Sequence, residues 1–434
     1  MRPLPEGATT APANRAAAGV ADLGAARAAD EWFARAPVPE DERALRRRLF
    51  HAAAEAGLPG PKVEAWRYAD LKDLAPADFL PGLARSLHAV EPEAGDAVPA
   101  LRFLDGHCVA RPDEEICGTI HDPAGTLPPA GAEGDDDAVW LLARAFATHG
   151  IDAAVAAGSP RRLALHSTAR DFAAHGLSRV RIADGAEAFI LLAAEGRSRA
   201  ASERLRLELG RGAQARVLVV QQVAADAHHF LRIDASLGAA ASLELLHVTG
   251  GTGFARGEHR WRLAGEDARA TLSLAALPHD GGHADIFTRL EHAAGRTVSR
   301  QSLRALAGAA DRAAWQGLVH VAHGADGTDA RQDAKGLLLA RGGEIDLKPE
   351  LEIFADEIAC AHGATVGELD PLAFFYLLAR GLPPREARRM LIHAFVADVL
   401  AAWPAEDPFA GASARVVEAA LARLSEAADG RGGR

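Results

Sequence analysis

Between about residues 160 and 362 the chain alternates apolar and polar side chains in short runs, and a recurring small-residue corner separates the runs. Leu205, Leu207 and Leu209 alternate with Arg and Glu, and the pairs Leu231/Ile233, Leu243/Leu245 and Leu272/Leu274 repeat the pattern. Period-two alternation marks strands with one buried face. The corners read Gly212-Ala-Gln-Ala, Gly238-Ala-Ala-Ala, Gly265-Glu-Asp-Ala and Gly295-Arg-Thr-Val, at intervals of 26, 27 and 30 residues. Two strands of about six or seven residues with two turns fill such an interval. A unit of that size cannot bury its apolar face alone, whereas stacked units can. A β-solenoid fits the spacing, and a β-sandwich of regular hairpins fits it equally well.

The flanks have a different character. Residues 1–14, rich in Pro, Ala and Thr, read as a disordered tail, and 15–150 as an N-terminal helical and mixed region. Helices are expected over about 15–35 and 40–57, the second entered at Pro39-Glu40 and stopped by Gly57. Trp66 and Tyr68 follow a Pro/Gly turn and should anchor that segment on the body. Asp105-Gly106 between apolar runs predicts a hairpin, and a short helix is expected over about 137–149. The β core is placed at 160–368 and a C-terminal helical region at 369–428. There Asp370-Pro371 is an N-cap followed by Pro, and Gly381 is a helix stop. The next helix carries Ala387, Met390, Leu391, Ala394, Phe395 and Val399 on one stripe, which reads as core or as a docking face for a partner.

The chemistry-bearing residues are few. Cys360 and His362 lie two apart at the end of a strand-like run that starts at Lys348, so both would point to one face, roughly 6–7 Å apart along the backbone. If 348–362 is one unbroken strand, its odd positions (Leu351, Ile353, Ala355) pack inward. Its even positions carry most of the charge and both soft ligands outward. Thiolate and imidazole suit a soft or borderline metal, but two ligands do not close a site. His320 and His323 are three apart and would not share a face of a regular strand. Cys108 and Cys117, with no C-x-x-C spacing, read as structural.

Several function classes lose support. The 48 Lys+Arg against 59 Asp+Glu leave −11, which argues against a general nucleic-acid binder. No apolar run reaches the length of a bilayer span, and no secretory pattern is visible. Three cysteines make no disulfide framework, so a reducing cytoplasmic setting is expected. There is no P-loop, no dinucleotide fingerprint and no nucleophile elbow.

Several segments together resemble the SufB/SufD family of iron–sulfur cluster assembly scaffolds of the SUF system. They are Trp66-Arg-Tyr68 with Glu64, Gly336-Leu-Leu-Leu-Ala, Lys348 to Asp356, Cys360 to Gly367, Leu369-Asp370, Phe375-Tyr376-Leu and Arg380-Gly381. The resemblance is to the SufD branch, because SufB members typically have Glu where this chain has Gly363. It implies a flattened right-handed parallel β-helix between helical N- and C-terminal regions. It also implies a cytoplasmic, non-enzymatic scaffold that pairs with SufB and binds the SufC ATPase. On this expectation ATP is used only by SufC, and a transient iron–sulfur cluster, not stably bound by this chain alone, is shared with SufB. His362 and Cys360 match the family positions near that cluster. The C-terminal helices, with Phe375, Arg380, Met390, Leu391 and Phe395, match the SufC contact region. A homodimer in isolation is compatible with the family. The competing expectations are a SufB-type paralogue, a stand-alone metalloenzyme using Cys360, His362 and His320 or His323, and a structural solenoid.

Overall fold

The computed structural model describes residues 23–36, 38, 40–82, 100–110, 118–121, 136–158, 160–404, 407 and 409–429. The tail expected over 1–14, the beginning of the first expected helix and Cys117 lie outside these residues.

The N-terminal part begins with α1 (Leu23–Arg35) and α2 (Glu40–Ala56), and Gly57 ends α2 at φ +72°. After a short 3-10 turn over Glu64–Trp66 come β1 (Leu101–Leu104), β2 (His107–Ala110) and β3 (Gly118–His121). β1 and β2 form the expected antiparallel hairpin around Asp105-Gly106. α3 (Ala138–Ala145) is capped by the Asp137 carboxylate, which accepts from the N–H groups of Val139 and Trp140. It stops short of the expected 149 because His149 already bridges to Gly176 and starts the first rung.

The solenoid begins with β4 (Gly150–Val155), β5 (Arg161–Ala169), β6 (His175–Ile182), β7 (Glu187–Gly196), β8 (Ala200–Leu209), β9 (Gln214–Val223), β10 (His228–Leu237) and β11 (Ser242–Gly251). It continues with β12 (Phe254–Leu263), β13 (Arg269–Pro278), β14 (His283–His292), β15 (Val298–Ala307), β16 (Arg312–Val321), β17 (Thr328–Leu338), β18 (Glu344–Ile353) and β19 (Ile358–Glu368). Consecutive strands alternate between two sheets, ordered β19-β17-β15-β13-β11-β9-β7-β5-β1-β2 and β18-β16-β14-β12-β10-β8-β6-β4-β3. Each strand from β4 to β17 pairs in parallel with the strand two places later, so the chain winds through eight turns. This is a β-solenoid and not a sandwich of hairpins.

The corners explain the period. Those at Gly212, Ala240, Asp267 and Arg296 have positive φ and stack on one edge. Each N–H there donates to the next turn: Gly212 to Ala239 O (2.8 Å), Ala240 to Glu266 O (2.8 Å), Asp267 to Gly295 O (3.3 Å) and Arg296 to Asp326 O (2.8 Å). A Cβ on Gly265 would lie 2.1 Å from Ala239 N, so the packed corner requires glycine.

Between the sheets lies a narrow apolar core of Leu, Ile, Val and Ala with Trp261 and Trp315. A file of buried polar side chains crosses it. The amide of Gln221 lies 3.0 Å from His229 Nδ1 and 3.2 Å from His247, and His247 lies 3.1 Å from His259. The helical N-terminal part covers the outer face of the nine-stranded sheet through Trp32, Phe33, Trp66, Phe79 and Trp140.

The C-terminal helices are α4 (Pro371–Ala379), α5 (Pro384–Leu400) and α6 (Ala410–Asp429), and α5 and α6 cover the outer face of the ten-stranded sheet. Asp370 caps α4 by accepting from Leu372 N–H at 2.8 Å, and Gly381 follows at φ +87°. The buried stripe of α5 is Ala387, Ile392, Val396 and Val399. This corrects the expected stripe, since Met390 and Ala394 are exposed while Leu391 and Phe395 are half-buried.

Candidate functional site

The last turn leaves an open end. β18 and β19 are the terminal strands of their sheets, so each has backbone groups unpaired on one side. Pro349 sits within β18, where an edge strand tolerates a missing N–H. The run from Lys348 to His362 is not one strand. A corner at Phe354–Glu357 breaks it and carries the chain from one sheet to the other. In the corner, Phe354 N–H donates to Val321 O at 2.9 Å and Gly327 N–H donates to Glu357 O at 2.6 Å.

The corner resets the parity. Odd residues of β18 stack on the interior: Leu347 on Trp315, Leu351 on Val319 and Ile353 on Val321. In β19 the even residues do so: Cys360 on Ala330, His362 on Gln332 and Ala364 on Ala334, all three partners buried. Cys360 and His362 therefore share a face, as their spacing predicts. It is the interior-facing side and not the outward side, and it is uncovered because no further turn follows.

The two residues differ in setting. Cys360 is half-buried against Val319, Val321, Ala325 and Ala330, and burial pushes its thiol pKa up. His362 is exposed. Beneath it, Gln332 donates from Nε2 to Gly317 O at 3.0 Å, while its buried Oε1 has no hydrogen-bond partner among the described residues. Gln332 is a neighbour that reading along the chain misses. The 30-residue step of the last corner interval points to it, because one turn back from His362 is Gln332. Around the pair the open end exposes Ile353 (39%), Phe354 (48%) and Val366 (45%).

His320 and His323 both lie against Phe354, with ring centroids 5.3 and 5.4 Å away, and His320 Nδ1 is 3.1 Å from Glu352 Oε2. Neither joins Cys360 and His362. Among the described residues no three His, Cys, Asp or Glu side chains are placed to hold one metal ion. Cys108 is half-buried against the main core, in keeping with a structural role.

A second exposed surface lies just beyond. α4 is apolar along its length, yet none of its residues is buried. Leu372 is 78% exposed, Phe375 68%, Tyr376 57% and Met390 51%. Arg380 is exposed too, with its guanidinium 5.0 Å from the Tyr376 ring centroid. Leu391 and Phe395 instead line a groove of about 330 Å³ between α5 and the ends of β17 and β19. The five candidate contact residues thus divide into an exposed set and a groove set.

The Trp66 segment fastens the N-terminal part to the solenoid. Trp66 Nε1–H donates to Asp137 at 2.8 Å, and Glu64 forms an ion pair with Lys348 of the last turn. Two sequence segments 284 residues apart meet there.

The family model of the SufBD core domain, described as SUF system FeS cluster assembly, matches residues 165–395, more than half of the 434. This chain belongs to the SufBD family. The matched SufBD region spans almost the whole solenoid, α4 and most of α5, and thus contains the open end with His362. Among SufBD relatives, the iron–sulfur cluster assembly protein SufD of Escherichia coli K12 is 29% identical over 367 residues, 79% of this chain and 85% of that protein. SufD of Bacillus subtilis is 36% identical over 92 residues, 21% of each chain. A SufBD family protein of Synechocystis is 30% identical over 196 residues, 44% of this chain and 42% of that protein. The role of this SufBD protein is in SUF iron–sulfur cluster assembly. No helix among its described residues is long and apolar enough to cross a membrane.

Proposed function

We propose that this chain is the SufD-type scaffold subunit of a cytoplasmic SUF assembly complex, a non-enzymatic partner that presents His362 to a nascent cluster. The observation that carries this reading is the open last turn. Two edge strands in two sheets offer unpaired backbone groups beside exposed Ile353, Phe354 and Val366. A SufB-type partner with matching edges would extend both sheets and cover the apolar rim. Its side chains would then complete the ligand set that Cys360 and His362 leave open, since cluster irons are held by thiolates or imidazoles.

In this reading the cluster is cargo. His362 is exposed and takes iron through a neutral ring nitrogen. Cys360 is the lesser ligand, because burial holds its thiol protonated and only the thiolate binds metal. The apolar, unburied surface of α4 with Phe375, Arg380 and Met390 suits the docking of a SufC-type ATPase, and the groove at Leu391 and Phe395 lies next to it. ATP enters only through that partner, in keeping with the missing P-loop.

Co-expression with a SufB-type and a SufC-type partner, followed by anaerobic reconstitution, tests the proposal. A stable three-component complex whose cluster yield collapses with His362→Ala is expected. Wild-type yield from that variant would remove His362 from the site. Stoichiometric metal and turnover in the chain alone would favour a metalloenzyme.

A further inference from the structure

The open end holds an acceptor that nothing uses. Gln332 of β17 is in register with His362 of β19, and both residues stand on the interior-facing side. Gln332 is only 3% exposed. Its partner across the interior fixes which way its amide points. Gly317 O can only accept, so the NH2 group faces it, at 3.0 Å. The backbone around that carbonyl is packed, since a Cβ on Gly317 would lie 2.1 Å from the Trp315 indole. Gln332 Oε1 is left buried and without a partner among the described residues. A buried acceptor without a donor is costly.

Two side chains in register with Gln332 carry donors. Gln301, one turn inward, is committed elsewhere: its Oε1 accepts from the Thr288 hydroxyl at 2.7 Å. Its Nε2 is itself buried without a partner, so the two amides do not bond to each other. His362, one turn outward, is the remaining donor. It is exposed and makes no hydrogen bond among the described residues, so its ring is free to turn. Nδ1 is the ring nitrogen next to the backbone and so the one within reach of a register neighbour, whereas Nε2 sits at the tip.

We propose that Gln332 is a positioning residue for His362: its Oε1 accepts the Nδ1–H of the imidazole and leaves the Nε2 lone pair facing the open end. The hydrogen bond at one ring nitrogen sets the tautomer and raises the basicity of the other. The consequence for the cluster rests on the reading of His362 as a ligand; the hydrogen bond itself does not.

Long-range proton–nitrogen NMR of the full chain, labelled with 15N-histidine and held near about pH 8.5, where the ring is neutral, reads the tautomer directly. The His362 signals are assigned by their loss in His362→Asn. The Nδ1–H form should dominate at His362, against the Nε2–H form that an unconstrained histidine prefers. Gln332→Met keeps the volume and removes the acceptor, so His362 should return to mainly Nε2–H. Gln332→Glu keeps an oxygen in place and should retain Nδ1–H. A purely structural role for Gln332 would leave the tautomer unmoved. In reconstitution with SufB-type and SufC-type partners, Gln332→Met should lower cluster yield several-fold and Gln332→Glu should restore it. An Nε2–H form in the wild type, which needs no variant to detect, or one tautomer common to wild type and Gln332→Met, would overturn the proposal. Wild-type yield from His362→Ala alongside an intact tautomer shift would overturn the ligand reading alone.

Discussion

The guanidinium carbon of Arg256 lies 3.8 Å from the centroid of the Trp66 ring. The same guanidinium pairs with Glu258 at 2.8 Å and with Asp285, and donates to Ala65 O at 2.6 Å. The indole N–H donates to Asp137, the cap of α3. One stacked pair thus joins the 3-10 turn, α3 and the middle of the solenoid. Burial opposes ionisation of Glu258, but Arg256, Arg260 and Arg232 outweigh it and hold its pKa at about 2.

Trp66→Ala should destabilise the chain by about 3–5 kcal/mol, because it removes a fully buried aromatic side chain. Trp66→Phe keeps most of the packing but takes the indole donor from Asp137 Oδ2, while Oδ1 keeps the N–H groups of Val139 and Trp140, at a cost of about 1–3 kcal/mol. Urea unfolding measures both, and a Phe variant as stable as wild type would show that the hydrogen bond contributes nothing.

Stability should fall on mild acidification. Burial pushes His175, His229 and His292 down to about 4 and His259 and His283 down to about 3, with His247 also well below its ordinary 6.5. Unfolded, these groups titrate near 6.5, so between about pH 6.5 and 4 the unfolded chain binds more protons and stability drops as pH falls. Asp137 opposes this: burial and the neighbouring Glu258 raise its pKa to about 6, so it favours the native state as pH falls through that value. With His228, seven histidines are lowered by burial, against three carboxyls that burial raises, Asp137, Asp285 and Asp311, so unfolding at pH 5 takes up protons on balance. Denaturant midpoints at pH 7 and pH 5 measure the slope, and equal midpoints would refute the neutral buried histidines.

Cys360 should react slowly. Its half-buried, protonated thiol should be alkylated by iodoacetamide at pH 7 several-fold more slowly than a free cysteine. Cys360→Ala should accordingly reduce cluster yield less than His362→Ala does. Fast alkylation, or the reverse order of yields, would make the cysteine the principal ligand.

Ile353→Asp and Val366→Asp should block association with a SufB-type partner while changing the stability of the isolated chain by about 0.5 kcal/mol or less, as expected for exposed positions. Co-purification and thermal unfolding check the two halves. Retained association would move the interface away from the open end.

Gly265→Ala should cost roughly 3 kcal/mol, since its Cβ would meet Ala239 N at 2.1 Å. Gly281→Ala meets nothing within 4 Å but sits at φ +90°, so it should cost only about 1–2 kcal/mol. Equal losses from the two would mean that corner packing is looser than the stacked geometry requires.

The strands, corners and helix ends were legible along the chain, because they depend on neighbours within one turn: Leu205/Leu207/Leu209, Asp370-Pro371, Gly57 and Gly381 each carry their own local signal. Even the shared face of Cys360 and His362 followed from period two. What only the tertiary structure decided is which face that is. The corner at Phe354–Glu357 resets side-chain parity, and the absence of a further turn turns an interior position into an open one. The α5 stripe was misjudged for the same reason, since Met390 and Ile392 are both apolar and only the position of the sheet determines which is covered. Trp66 over Arg256, Lys348 beside Glu64 and Gln332 beneath His362 are contacts between distant segments. They come from the stacking of turns, and no local pattern of charge or hydrophobicity encodes them.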